Sequence, residues 1–347
     1  MLAVLLVIFS IGMIVAAHEF GHFIAAKLLG VRVKEFMLGL PSFKIVKVSW
    51  RGTEYGVTVL PIGGYVKFVS TLEKEDLSEE EKKEAFETQS LWKRVIIIFA
   101  GPIMNLIVPI FLIASIFIIG IPMPSTIIEK TISGFPAEQS GLKAGDKIVS
   151  IDGRSVSEWD EVTGLIQKLA GKKIVVIAQR DGERLRFSMK PIKKDSKGFL
   201  GIETKLVNER YGLLKAVYQG AIISGLATVR IVQALYSLLT NGQILSSLGS
   251  PIRITQELTK EVHRGYIFFL QSLAFISIGL ALVNLIPLPP LDGGRILLLG
   301  VEGVIRKPID KEKLLWIQAV GFLLLISLMI YLLVVDIQRL IPTVMRF

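Results

Sequence analysis

Apolar and polar stretches alternate along this chain, and the apolar ones have the length of a lipid bilayer. Crossing the hydrocarbon core takes about 20 mostly apolar residues. Residues 1–29 open with "MLAVLLVIFSIGMIVAA", which carries no charge. A second run, about 95–121, reads "VIIIFAGPIMNLIVPIFLIASIFIIGI". A third, about 267–287, contains Gln, Ser and Asn but no charge, and a fourth covers about 314–335. Each predicts a membrane-spanning helix. One further stretch, 211–239, carries Lys215 and Arg230 and reads either as a span or as an interfacial amphipathic helix.

The stretches between the runs have other periods. In 31–94, "FKIVKVSW", "RGTEYGVTVLP" and "IGGYVKFV" alternate and predict short strands joined by Gly-containing turns. The charge run "EKEDLSEEEKKEAFETQS" that follows predicts a solvated helix or loop. In 125–206, "TIIEKTI", "DKIVSIDG", "KKIVVIAQRDGERLRFSM" and "GFLGIE" read as strands, with Asp181-Gly182 as a hairpin turn. "SEWDEVTGLIQKLA" reads as the one helix there, with Ser157 as its N-cap. About 80 such residues suffice for one small β-rich domain. The expected organisation is an N-terminal membrane part over 1–122, the β-rich domain over 125–206, amphipathic linker helices over 207–262, and a C-terminal membrane part over 263–347. The expected fold class is a mainly α-helical multi-span membrane protein with a membrane-associated β-hairpin sheet and an inserted β-rich domain.

Composition agrees. Hydrophobic residues make up 51% of the 347, and the mean hydropathy is +0.58, too apolar for an ordinary soluble domain. The net charge of +10 then reads as cytoplasmic-loop and lipid-surface charge, and no base-reading motif accompanies it, so no nucleic-acid partner is expected. The chain has no cysteine, which excludes disulfides and thiolate metal sites. A cleaved signal peptide needs a basic start, and Met1-Leu2-Ala3 offers none, so an uncleaved helix with its N-terminus outside is expected.

The first span ends in chemistry. "HEFGH" places His18, Glu19 and His22 in a helix, and positions i and i+4 share a face. Both imidazoles then reach one Zn²⁺ at about 2.0–2.1 Å. Glu19, one residue on, suits proton transfer with a metal-bound water, the H-E-x-x-H arrangement of zinc peptidases. Three polar groups in a span, at about 2.5–3.5 kcal/mol each, need a compensating partner. Two histidines leave a catalytic zinc one protein ligand short. His263, the only other histidine, lies in the polar "TKEVHRG" and is a poor candidate. Asp292 in "NLIPLPPLDGGRI" is the better one: Pro287, Pro289 and Pro290 break the preceding helix, and Gly293 and Gly294 permit unusual backbone angles and close approach. Parity supports it. If 211–239 crossed the membrane, Asp292 would arrive on the face opposite the histidines. If 211–239 lies on the surface, Asp292 arrives beside them, giving four transmembrane helices with both termini outside. Arg295, Arg306, Lys307, Lys311 and Lys313 fit a short cytoplasmic loop after Asp292.

These residues resemble the site-2 protease family. "HEFGH", "PLPPLDGG" and a β-rich domain between them are in the order and spacing of its bacterial RseP-type zinc intramembrane metalloproteases, which act in sigma E signalling. The family pattern N-x-x-P-x-P-x-L-D-G is matched by Asn284, Pro287, Pro289, Leu291, Asp292 and Gly293, and "FAGPIMN" resembles the second-span signature. "PAEQSGLKAGDKIVSIDG" resembles a bacterial PDZ domain, one here where well-known Gram-negative members carry two. The resemblance implies a zinc-dependent intramembrane endopeptidase, with metal ligands His18, His22 and Asp292 and catalytic Glu19. It implies a β-hairpin at 60–68 that dips into the membrane beside the zinc, with Gly63, Gly64, Tyr65 and Asn284 as substrate-binding residues. It also implies single-span membrane substrates of anti-sigma-factor or signal-peptide type, already cut by an upstream site-1 type protease, and a multi-pass protein of the bacterial inner membrane with the PDZ domain extracytoplasmic and the zinc near the cytoplasmic side. Two rivals stand beside this. One is a membrane zinc peptidase that takes Glu302 as third ligand; the other is a PDZ scaffold whose His-Glu-His set is structural.

Overall fold

The structure, a computed structural model, describes residues 2–60, 63–71, 77–194, 197–240 and 250–344. Part of the expected hairpin tip (61–62) and part of the charge run (72–76) therefore lie outside the described residues. The chain divides into two compact units, Met1–Ile116 with Gly212–Phe347, and Phe117–Tyr211.

The first unit is built on long apolar helices. Helix α1 spans Leu2–Leu28 and is followed by strands β1 (Val33–Leu38), β2 (Lys44–Trp50), β3 (Thr53–Thr58) and β4 (Gly64–Phe68). After a short capped helix, α2 (Glu79–Glu84), comes α3 (Leu91–Ile119). Among the described residues, five helices are long and apolar enough to cross a membrane: α1, α3 and three that follow the second unit.

Contacts between side chains fix the helix directions in this unit. Beyond α6 (Leu213–Thr240) lie α7 (Pro251–Arg264), α8 (Tyr266–Asn284), α9 (Asp292–Ile305) and α10 (Lys311–Val344). Val7 and Ile14 of α1 share an apolar cluster with Phe269 and Leu273 of α8, and His18 further along α1 meets Asn284 at the end of α8, so α1 and α8 run parallel. Helix α3 runs the other way, since Asn105 reaches His18 and Ile97 reaches His22. Pro109 in α3 has no N–H, so the Asn105 carbonyl four residues earlier is left without its helical donor. The Ser277 hydroxyl of α8 donates to it at 2.8 Å, joining the two helices with a buried hydrogen bond. Helix α10 passes Gly321 beside Pro289 and then brings Asp336 to the start of α7, where its carboxylate accepts the Ser250 N–H at 2.8 Å. A buried carboxylate in the last apolar helix thus caps the helix that packs Leu258 on Val7 and Ile14.

The sheet of this unit has the order β2-β3-β1-β4, so β4 pairs with β1 and not with β3, and the hairpin expected at 60–68 is replaced by an edge strand reached by a crossover. Sequence alternation marks β2, β3 and β4 but not β1, which occupies an interior place, parallel to β3 and antiparallel to β4. A parallel neighbour is a long-range choice that no local turn signal records. The chain after Asp292 also differs from the expected loop: "DGGRILLLGVEGVI" forms α9, and the basic cluster is divided between α9, its C-terminus and the start of α10. Leu and Val recur at helical spacing there, which outweighs the weak propensity of four glycines.

The second unit carries a sheet of order β12-β5-β6-β8-β9, with β7 beside β6. Its strands are β5 (Ile121–Thr131), β6 (Lys147–Ile151), β7 (Arg154–Ser155), β8 (Ile174–Arg180), β9 (Glu183–Met189) and β12 (Ile202–Glu209), and β10 (Ile192–Lys194) pairs with β11 (Lys197–Phe199). After the one-turn α4 (Pro136–Gln139), helix α5 (Trp159–Lys168) lays Val162 and Ile166 on a core of Ile128, Ile148, Ile151, Ile174, Val176 and Leu200. The expected N-cap, Ser157, lies one residue before the observed cap, Glu158; the Ser157 N–H and hydroxyl instead bind the Glu161 carboxylate. Asp181 and Gly182 both have positive φ, 50° and 89°, as a two-residue hairpin turn requires.

Asp146 has no exposed side chain, yet it is charged and paired: Arg180 Nε and Nη2 bind its two oxygens at 2.6 and 2.8 Å, and the Lys143 N–H adds a third donor. Burial pushes this carboxyl up, but the guanidinium and the Lys143 N–H outweigh burial and hold it below the usual carboxylate range. A depressed folded pKa stabilises above the unfolded value, about 3.9, and that contribution fades as pH falls below it. Arg180→Met is expected to destabilise this unit by about 2–3 kcal/mol at neutral pH, less than for a fully buried pair because Arg180 is part-exposed. The deficit should shrink below about pH 4. Proteolysis of 117–211 in rising urea measures it; an equal deficit at pH 3 and pH 7 would reject the ion pair as its source.

Candidate metal centre and active site

Each part of the site is positioned by a sequence feature with a physical reason. His18, Glu19 and His22 lie in the second half of α1, the two histidines one helical turn apart and both imidazoles buried. Helix α8 ends at Asn284, where Pro287 forbids continuation, and a proline-rich turn brings Asp292 back as the first residue of α9. Gly293 and Gly294 permit that return through close approach alone, since neither has a positive φ: a Cβ at Gly293 would strike the Leu285 carbonyl, and one at Gly294 the backbone of Leu288 and Pro289.

Three electron-pair donors converge. Asp292 Oδ2 lies 3.0 Å from His18 Nε2 and 3.4 Å from His22 Nε2, and the two Nε2 atoms are 3.2 Å apart. Two ligands held about 2.0–2.1 Å from one tetrahedral ion are themselves about 3.3 Å apart, so the triangle has the spacing of a three-ligand site with its fourth position open. The far sides of the rings decide the protonation. His22 Nδ1 is 2.8 Å from the Ile97 carbonyl, an acceptor only, so Nδ1 carries the hydrogen and, in the neutral ring, Nε2 is bare. His18 Nδ1 lies 3.3 Å from the Asn105 amide, whose Oδ1 is otherwise buried without a partner. Turning that amide by 180° sets Oδ1 against His18 Nδ1–H, gives Oδ1 a donor and leaves His18 Nε2 bare as well. Asp292 Oδ2, also buried without a hydrogen-bond donor, completes a set of three acceptors facing one another. A single cation satisfies all three.

Glu19 points from the same helical turn towards the sheet. Its Oε2 accepts the Val66 N–H of β4 at 3.2 Å. That N–H therefore faces away from β1, and β4, an edge strand, presents its open side to Glu19. Gly63 and Gly64 bring β4 onto α1: an added Cβ would contact Val15 at Gly63, and Ala16 and Glu19 at Gly64. Tyr65 is already engaged, its hydroxyl donating to Glu35 at 2.9 Å. Asn284 Nδ2 stands 3.4 Å from His18 Nε2, beside the triad.

All four residues expected at the metal and in catalysis thus meet. The rival ligand does not. Glu302 pairs with Arg94 at 2.8 Å and accepts the Ile309 N–H at 3.1 Å, and His263 is exposed at the end of α7. Among the described residues the cluster that could hold a metal ion is His18, His22 and Asp292. Sequence reasoning assigned no role to Asn105, which orients His18, or to Gly101, where a Cβ would fall on the two imidazole rings. Both lie in "FAGPIMN", so the signal was present.

The model of peptidase family M50 matches residues 6–328. The chain belongs to peptidase family M50. Relatives match it almost end to end. It is 30% identical to a putative zinc metalloprotease of Mesorhizobium japonicum, over 93% of this chain and 95% of that one. It is 30% identical to the zinc metalloprotease RasP of Oceanobacillus iheyensis, over 98% and 100%. It is 25% identical to a regulator of sigma E protease of Haemophilus influenzae, over 96% and 98%. Among solved structures, the PDZ domain of an SdrC-like protein from Listeria monocytogenes matches a quarter of this chain and 92% of that one, at 24% identity and a TM-score of 0.21. The M50 chain is a peptidase, and its several long apolar helices make it a multi-pass membrane protein.

Because Gly101 leaves room for both rings, Gly101→Ala is expected to lower metal affinity by about 10–100-fold, as loss of ligand orientation does elsewhere, without unfolding α3. Zinc per chain after dialysis against a graded chelator reads this directly; full retention would show that the rings do not need the space.

Proposed function

We propose that this protein is a zinc-dependent intramembrane endopeptidase that cuts the transmembrane segments of single-span membrane proteins in regulated intramembrane proteolysis. His18, His22 and Asp292 are its zinc ligands and Glu19 is its general base and acid. The observation that carries this reading is the buried triangle of three bare acceptors in an apolar bundle, with Glu19 one residue along the same helix. Zinc dependence accords with the zinc metalloproteases among its relatives.

When bound, zinc supplies Lewis-acid polarisation of the scissile carbonyl and a water acidified to near pH 7. The protein's own residues do the rest. Glu19 accepts a proton on the carboxylate oxygen not held by Val66 and returns it to the leaving amine. Asn105 and the Ile97 carbonyl keep the two imidazoles in one tautomer. A helix must unwind before its carbonyls are accessible, and β4 offers an edge on which the extended segment adds as a strand. Gly63 and Gly64 keep that edge close to Glu19, Tyr65 holds β4 to β1 through Glu35, and Asn284 offers its amide to the peptide beside the metal.

The reading includes four crossings. Helices α3 and α8 run in opposite directions, so the chain leaves α3 at the end of the bundle where α8 begins. If α6 crossed, a second helix would have to cross back. Helix α7 has 14 residues, about 21 Å at 1.5 Å each, short of a core of about 30 Å. We therefore read α6 as an interfacial helix, although its length and hydropathy also suit a span and its Gly220 packs on Ile110 and Ala114 of α3. Arg295, Arg306, Lys307, Lys311 and Lys313 lie at or just beyond the triad's end of the bundle, which favours a cytoplasmic position for that end in a bacterial inner membrane. The domain over 125–206 is then extracytoplasmic, and its PDZ-like motif suits a size filter or a groove for a fresh C-terminus. Anti-sigma factors or signal peptides are the substrate class, first cut by a site-1 type protease, in keeping with the regulator of sigma E protease among the relatives.

Co-expression with a candidate single-span substrate, followed by a blot for the cleaved product, tests this. Glu19→Gln should keep its zinc and lose cleavage by about 10²–10⁴-fold. Asp292→Ala should lose both zinc and cleavage, and Glu302→Gln should keep zinc. Cleavage by Glu19→Gln at the wild-type rate would end the mechanism.

A further inference from the structure

A cavity of about 370 Å³ opens between α6 and α8, away from the metal triad. Ile223, Leu226, Ile231 and Phe275 give it an apolar wall, and two polar side chains, Arg230 and Gln271, interrupt that wall. Among the described residues neither the Arg230 guanidinium nor the Gln271 amide has a hydrogen-bond or ion-pair partner. Arg230 is exposed and Gln271 half-buried. At an interface an arginine lays its stem on apolar surface and keeps its head where an acid or a phosphate can meet it. Here no acid is supplied.

We propose that this cavity binds one anionic phospholipid, with an acyl chain along the apolar wall, the phosphate on Arg230 and a headgroup or ester oxygen on the Gln271 amide. The groove is lined by two helices and carries one cation on an apolar wall, and a hydrocarbon chain beside an anionic headgroup matches that pattern. The guanidinium fork matches phosphate oxygens two at a time, and its permanent charge favours an anionic lipid over a zwitterionic one. The lipid fills the space between α8, which carries Asn284, and the loosely packed α6. The inference does not depend on the proteolytic reading.

Native mass spectrometry of the full chain in detergent, with equal phosphatidylglycerol and phosphatidylcholine added, tests the site. The wild type should retain one phosphatidylglycerol per chain in preference to phosphatidylcholine. Arg230→Gln should reduce that preference about fivefold, the effect of one interfacial cation, and Arg230→Lys should fall between. Ala234→Trp, which fills the groove and keeps the charge, should reduce retention of both lipids. Zinc content unchanged from wild type reports that each variant is folded. Equal retention of the two lipids by the wild type, or an unaltered preference in Arg230→Gln, overturns the proposal. So does a photoreactive residue at position 234 that captures a co-expressed single-span substrate and no lipid.

Discussion

Everything in the membrane part depends on one constraint: two imidazoles and a carboxylate, drawn from segments about 270 residues apart, are buried together among apolar helices with their lone pairs facing one another. In water such groups are solvated individually. At this depth each unsatisfied one costs several kcal/mol, and a shared cation is the arrangement that removes all three penalties at once. The neighbouring chain is shaped to permit it. Gly101 leaves room for the rings, Pro287 ends α8 where it must end, and the glycine pair after Asp292 lets α9 start against the end of α8. The hydrogen bonds behind the rings set which nitrogen is bare, so the second layer fixes the chemistry of the first.

The same economy appears in the α3–α8 contact. A proline inside a membrane helix leaves a carbonyl without a donor, and here the Asn105 carbonyl finds one in Ser277. Asn105 thereby takes part in two networks, its backbone bonded to α8 and its side chain to His18. A shift of α3 along its axis would disturb both. That coupling gives the bundle a single register in which the triangle closes.

The small sheet brings a different kind of backbone to the site. A helical substrate has its carbonyls occupied, whereas an open edge strand offers unpaired main-chain groups in the extended geometry a peptidase needs. β4 is held on one side by β1 and approaches α1 on the other through two glycines, so the Glu19 carboxylate and the strand share one hydrogen bond. The ion pair of Glu35 with Lys44 and the hydrogen bond it accepts from Tyr65 tie three of the four strands together.

Hydropathy alone marked the apolar helices, because a bilayer imposes a length on any segment that crosses it. The i, i+4 histidines with their glutamate, and the proline-glycine signature around Asp292, also stood in the sequence, since a metal ligand set and a helix break each need particular side chains. β1 was invisible because its partners are a parallel strand and the later β4, and no short-range turn encodes either choice. The helix after Asp292 was hidden by its glycines, of which Gly293 and Gly294 serve close packing on residues 285–289 rather than flexibility. The roles of Asn105 and Gly101, and the engagement of Glu302 by Arg94, were likewise decided by tertiary structure: a side chain's partner depends on which helix lies opposite, and that follows from packing the whole bundle rather than from any one segment.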